Sequence, residues 1–139
     1  MNVALLIIAH APLGQALLDV TQGTLGEIPI RHALLDVNRD TEPDQIRRQA
    51  REMALALEQG DGVLVITDIY GSTPSNIACA LQDMEQVRIV TGLNLPMLIR
   101  VMNYAGLDLI ALTEKALSGG HDGILAITPA ENREYCRHA

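Results

Sequence analysis

Three short segments carry the side chains with chemistry to offer. His10 ends the run Ile7-Ile8-Ala9-His10, Asp68 opens Asp68-Ile69-Tyr70-Gly71-Ser72-Thr73-Pro74, and Thr91 to Pro96 is a third turn-rich stretch. A carboxylate that accepts the proton of one imidazole nitrogen fixes the tautomer and leaves the other nitrogen's lone pair free to attack. A loop of Gly71, Ser72 and Thr73 that runs into a helix offers amides and hydroxyls to the equatorial oxygens of a phosphoryl group, with no lysine required. Each piece alone has an ordinary reading: a loop histidine, a carboxylate capping a strand end, a turn into a helix. Only a fold that brings them together makes the chemistry specific.

The elements needed to do so can be read along the chain. Val3 to Ala9 and Gly62 to Thr67 are apolar runs without alternation, the pattern of strands covered on both faces. Ile30 to Val37 and Val87 to Thr91 are two further strands, and Ile124 to Ile127 is a short last one whose direction stays open. Gly14 to Thr21 reads as a short helix with Gly23 or Gly26 as its stop. Thr41-Glu42-Pro43-Asp44 opens the clearest helix, with Thr41 as N-cap, Pro43 in the first turn and Ile46, Met53 and Leu57 as its apolar stripe. Ser75 to Met84, Leu95 to Tyr104 and Leu107 to Leu117 complete the helices, and Gly119 to Gly123 is a turn.

Strands alternating with helices predict an α/β fold with a mainly parallel open sheet, helices on both faces and strand order 2-1-3-4. In such a sheet the ligand site lies beyond the carboxyl ends of the strands, where strand order reverses. That rule selects the three segments above. With the first and third strands adjacent, His10 stands beside Asp68.

Composition excludes several function classes. A chain of 139 residues builds one domain, since that size buries roughly 68–70% of its unfolded surface. Residues 1–127 form it, followed by a polar tail at 128–139. Three Tyr, no Phe, no Trp and a net charge of −7 argue against nucleic-acid binding, which needs stacking rings and cations. No segment is long and apolar enough to enter a membrane, and no basic stretch precedes the first apolar run, so a cytoplasmic protein is expected. Cys79 and Cys136 lie apart and in no metal-ligand spacing, as free structural thiols. No cofactor or metal is called for. Of the other histidines, His32 lies in a strand, His121 in the glycine turn and His138 in the tail.

Taken together, Ile-Ile-Ala-His10, Thr67-Asp-Ile-Tyr-Gly-Ser-Thr-Pro-Ser-Asn76 and Val90-Thr-Gly-Leu-Asn-Leu-Pro-Met-Leu98 resemble the mannose-type enzyme IIA domains of the bacterial phosphoenolpyruvate–sugar phosphotransferase system. The resemblance spans residues 1–127 in order and spacing. It implies a phosphotransferase component in which His10 accepts a phosphoryl group from the carrier protein HPr and passes it to a IIB protein. Asp68 would orient His10, and Gly71, Ser72 and Thr73 would contribute to the phosphoryl site. It also implies a homodimer whose last strand, here Ile124 to Ile127, is exchanged between subunits and runs antiparallel. Gly71-Ser72-Thr73-Pro74 departs from the family's frequent Gly-Gly-Ser-Pro, so Thr73 supplies the family's hydroxyl and Ser72 is an added side chain. Where a fused IIB member would continue into a second domain, this chain stops at Ala139, which implies a free-standing IIA protein with a IIB partner on another chain. Tyr70 occupies a loop position where related domains often carry Trp, as a packed loop anchor or as part of a partner-docking surface.

Two other readings stand beside this one. The first keeps a phosphorylatable His10 but uses its state to regulate a partner protein, and is separated from the carrier by a failure to pass the group to any IIB protein. The second makes Asp68 the nucleophile of a small-molecule-binding or hydrolytic domain; it places label on a carboxylate and makes His10→Ala nearly silent.

Overall fold

The computed structural model describes residues 1–128; the tail from residue 129, with Cys136 and His138, lies outside the described residues. The chain order is β1 (Ala4–His10), α1 (Leu13–Leu25), β2 (His32–Val37), α2 (Pro43–Leu57), β3 (Val63–Thr67), α3 (Thr73–Cys79), β4 (Val87–Val90), α4 (Leu95–Asn103) and α5 (Leu109–Asp122). All four strands are parallel, in the order β2-β1-β3-β4. The expected order 2-1-3-4 is therefore the observed one.

The lack of alternation in β1 and β3 has a direct cause. Leu5, Ile7, Ala9, Leu64 and Ile66 pack on one face against residues of α1, α4 and α5 such as Leu18, Leu98 and Leu112. Ala4, Leu6, Ile8, Val63 and Val65 pack on the other against Ile46, Ala50 and Ala54 of α2 and Ile77 and Ala78 of α3. Both central strands are buried from end to end except at His10. Aliphatic side chains fill both layers, and Tyr70 and Tyr104 lie on the surface.

Several boundaries differ from expectation. Helix α1 continues through Gly23 and stops at Gly26, whose φ of +88° suits glycine alone. The N-cap of α2 is Glu42, whose carboxylate accepts from the Asp44 and Gln45 amides, while Thr41 closes the preceding turn. Helix α3 begins at Thr73 and ends at Cys79, well short of Met84. Gly119 to Gly123 is not a turn, because α5 runs on to Asp122. There the helix needs glycine for closeness rather than for bending: a Cβ on Gly119 would stand 2.6 Å from Cβ of Arg100 on α4. The expected last strand, Ile124 to Ile127, takes no place in this sheet, and Ile124, Leu125 and Ile127 are exposed.

Two of the helical glycines, Gly23 of α1 and Gly119 of α5, make opposite predictions. Gly23→Ala meets nothing within 4 Å and gains helix propensity, so it should stabilise by up to about 1 kcal/mol. Gly119→Ala gains the same propensity but overpacks the α4–α5 contact, a cost of about 1–3 kcal/mol that outweighs it. Urea midpoints should thus move in opposite directions; movement of both upward would refute the close-packing account of Gly119.

Candidate functional site

The sheet order delivers the juxtaposition that the chemistry requires. His10 is the last residue of β1 and lies level with Val37 of β2, while Ile8 pairs with Thr67, the last residue of β3. Asp68 follows immediately. Its Oδ2 accepts both the His10 backbone amide at 2.8 Å and His10 Nδ1 at 2.7 Å, and its Oδ1 accepts the Ile69 amide at 2.7 Å. Three donors thus converge on one carboxylate. The Nδ1 bond fixes the proton of the neutral ring on that nitrogen and leaves Nε2 without it, and the His10 side chain is 54% exposed and lines a cleft.

Asp68 itself is buried, which by itself raises a carboxyl's pKa. The hydrogen bonds from the His10 amide, the His10 ring and the Ile69 amide outweigh that cost and hold Asp68 below the usual carboxylate range. It is an anion throughout the neutral range.

The loop after Asp68 is tied down at several points. Ser72 N donates to the Ile69 carbonyl at 3.2 Å, closing a turn in which Gly71 has a φ of +86°, a conformation that a side chain would strain. Gly71 N donates to Ser75 Oγ at 3.3 Å. Ser72 is the N-cap of α3: its hydroxyl donates to the Ile69 carbonyl at 2.6 Å and accepts from Ser75 N at 3.4 Å. Its proton is therefore spent inside the loop. Thr73 is different, for neither its amide nor its hydroxyl has a partner among the described residues, and it lines the same cleft as His10. The third segment braces this arrangement, because Gly92 N donates to the Asp68 carbonyl at 2.7 Å and Leu93 N to that of Thr67 at 3.1 Å.

Of the expected site residues, His10, Asp68 and Thr73 come together, Gly71 shapes the turn between them, and Ser72 acts through its cap. Tyr70 is not packed as an anchor: it is 81% exposed, beside Ile69, which is also exposed. His32 Nδ1 donates to the Ile30 carbonyl at 3.0 Å, and His121 lies in the last turn of α5, so neither shares the cleft. What sequence reading missed is the β2–α2 turn, Asn38 to Thr41, which forms the other wall of that cleft.

The chain as a whole is similar to known proteins. A family model described as EIIA-man, PTS system fructose IIA component, matches residues 4–116. The mannose/sorbose specific IIA subunit of the phosphotransferase system from Enterococcus faecalis superposes with a TM-score of 0.81 at 23% identity, over 92% of this chain and 96% of that one. EIIA from Streptococcus agalactiae gives 0.78 at 20% identity, over 89% and 96%. A PTS IIA protein associated with the fucose utilization operon of Streptococcus pneumoniae gives 0.73 at 20%, over 91% and 93%. No curated protein matches the chain.

Proposed function

The chain belongs to the EIIA-man family of phosphotransferase-system IIA components, and on that premise we propose that it is a phosphohistidine carrier, charged at His10 by phospho-HPr and discharged to a IIB protein. The observation that carries this reading is the 2.7 Å contact of His10 Nδ1 with buried Asp68, which leaves Nε2 as an exposed nucleophile.

The lone pair of Nε2 forms a bond to phosphorus while the phosphorus–nitrogen bond of the donor breaks, and the electron pair of that bond returns to the donor's ring. With a proton on Nδ1 and phosphorus on Nε2, the His10 ring becomes cationic. Asp68 neutralises that charge where it develops. The Thr73 amide and hydroxyl supply donors to the equatorial oxygens, Gly71 permits the turn that presents them, and Ser72 holds the loop on α3. Transfer to IIB is the same step reversed on a new acceptor.

Ile69 and Tyr70 form the apolar rim on which HPr and IIB dock in turn. Meeting HPr and IIB places the protein in the cytoplasm, and among the described residues no helix is long and apolar enough to cross a membrane. Ile124 to Ile127 is the strand exchanged with a second copy: its apolar side chains are exposed in the single chain and β4 leaves one sheet edge open. Sedimentation equilibrium should return twice 15.0 kDa, and Ile124→Asp with Leu125→Asp should shift it toward one; a monomeric parent protein would remove the exchange.

The test of the carrier is chemical. Incubation with phosphoenolpyruvate, enzyme I and HPr should give an acid-labile, alkali-stable adduct at His10 that disappears on addition of a cognate IIB. An acid-stable label, or one on Asp68, would overturn the reading. A stable His10 adduct that no IIB discharges would instead indicate the regulator.

A further inference from the structure

The cleft beside His10 contains a cation to which the phosphohistidine reading gives no task. It has a volume of about 570 Å³ and is lined by His10, Val37, Arg39, Thr41, Thr73 and Pro74 among others; Arg39 is the one Lys or Arg in that lining. Arg39 sits at the tip of the Asn38–Thr41 turn. There Thr41 N donates to the Asn38 carbonyl at 3.3 Å and Asn38 N to Thr41 Oγ1 at 3.2 Å, so the turn is closed from both ends. The turn follows β2 directly, which puts Arg39 two residues beyond Val37, the register partner of His10, and Ala11 N donates to the Val37 carbonyl at 3.0 Å. Adjacent strands stand about 4.8 Å apart, a span shorter than an extended arginine side chain.

The other arginines of the described residues are mostly engaged. Arg47, Arg51 and Arg100 pair with Asp44, Asp83 and Asp122, and Arg31 and Arg88 donate to backbone carbonyls. Arg39 makes no hydrogen bond or ion pair among the described residues, in a chain with 17 Asp and Glu. Its planar fork of donors suits a tetrahedral oxyanion. Since β1 lies between β2 and β3, Arg39 and Thr73 flank His10 from two sides.

Resting on the phosphohistidine reading, we propose that Arg39 is a phosphoryl-contact residue: its guanidinium donates to the equatorial oxygens of the group arriving at or held on His10 Nε2. Two donors of different size separate contact with the phosphoryl group from contact with a docked protein. Phospho-HPr brings both; phosphoramidate brings only the phosphoryl group, its nitrogen leaving as ammonia when the Nε2–phosphorus bond forms.

Arg39→Gln should slow labelling of His10 about tenfold or more from either donor, with Arg39→Lys recovering part of the rate. The unphosphorylated variant should also lose the shifts that inorganic phosphate induces at the Thr73 amide and His10 ring in wild-type NMR spectra. Slowing with phospho-HPr alone would overturn the proposal and assign Arg39 to a carboxylate of the docked protein. Unchanged rates with both donors would overturn it outright. Should the wild type take no label at His10 from either donor, the carrier reading falls separately. The phosphate titration then decides for the cleft: shifts lost in Arg39→Gln support an oxyanion contact, and equal shifts refute it.

Discussion

A His10→Gln variant is expected to take up no phosphoryl group from phospho-HPr. Glutamine keeps polar bulk at the end of β1, but its amide nitrogen has no available lone pair, so the nucleophile is removed while the strand end is kept. The remaining described histidines offer no bypass: His32 on β2 donates from Nδ1 to the Ile30 carbonyl and His121 lies in the last turn of α5, neither of them lining the cleft. Loss of fold is a poor alternative explanation, because the His10 side chain is 54% exposed and surface substitutions ordinarily change stability by about 0.5 kcal/mol or less. Loss of the Nδ1 partner of buried Asp68 adds to that, but the His10 and Ile69 amides still donate to the carboxylate. Labelling with radioactive phosphoenolpyruvate, alongside circular dichroism to confirm the fold, checks the expectation. Undiminished label in the variant would end the case for His10.

The sheet was legible because its physics is one-dimensional. Two central strands buried on both faces show as apolar runs, Val3 to Ala9 and Gly62 to Thr67, and their crossover helices force parallel pairing. Once β1 and β3 are neighbours, the meeting of His10 and Asp68 follows from where those runs end. Helix ends were less legible, because they depend on contacts distant in sequence. Gly119 and Gly120 look like a turn until Arg100 and Met97 of α4 are seen against them. Thr41 is the better cap by type, yet its hydroxyl is already used by the Asn38 amide, and Glu42 takes the role.

Site detail divides in the same way. The residue types named Gly71, Ser72 and Thr73, but only the hydrogen bonds separate them into a residue that permits the turn, one that caps α3 and one with free donors. Tyr70 could have been a buried anchor or a rim residue, and its exposure favours the rim. Arg39 carried no motif. It becomes visible only when the β2–α2 turn is folded against the end of β1, and no spacing along the chain encodes that meeting. Ile124 to Ile127 has the apolar composition of a strand but pairs with neither edge of the sheet, and composition alone does not say which edge a strand joins.

Asp68→Asn is the second substitution with a large expected effect, and its direction follows from counting donors. Asp68 accepts three N–H groups on two oxygens, two from His10 and one from Ile69. Asparagine has a single oxygen. If that oxygen faces His10, both His10 donors are kept and Nδ1 retains its proton, but the amide NH2 opposes the Ile69 amide and the charge that stabilises a phosphorylated, cationic ring is gone. If the NH2 faces His10, it donates to Nδ1, drives the proton to Nε2 and so removes the attacking lone pair. Either orientation slows transfer. The first forfeits the charge on the acceptor of those bonds, a loss of up to about 1.5–3 kcal/mol or a factor of roughly 10–150, and the second costs more because the wrong tautomer predominates. Single-turnover transfer from phospho-HPr should therefore fall by about a hundredfold, and the 15N shifts of the His10 ring should report which orientation prevails. A variant that transfers within about twofold of wild type would strip Asp68 of any part in catalysis and leave it only the structural task of joining the ends of β1 and β3.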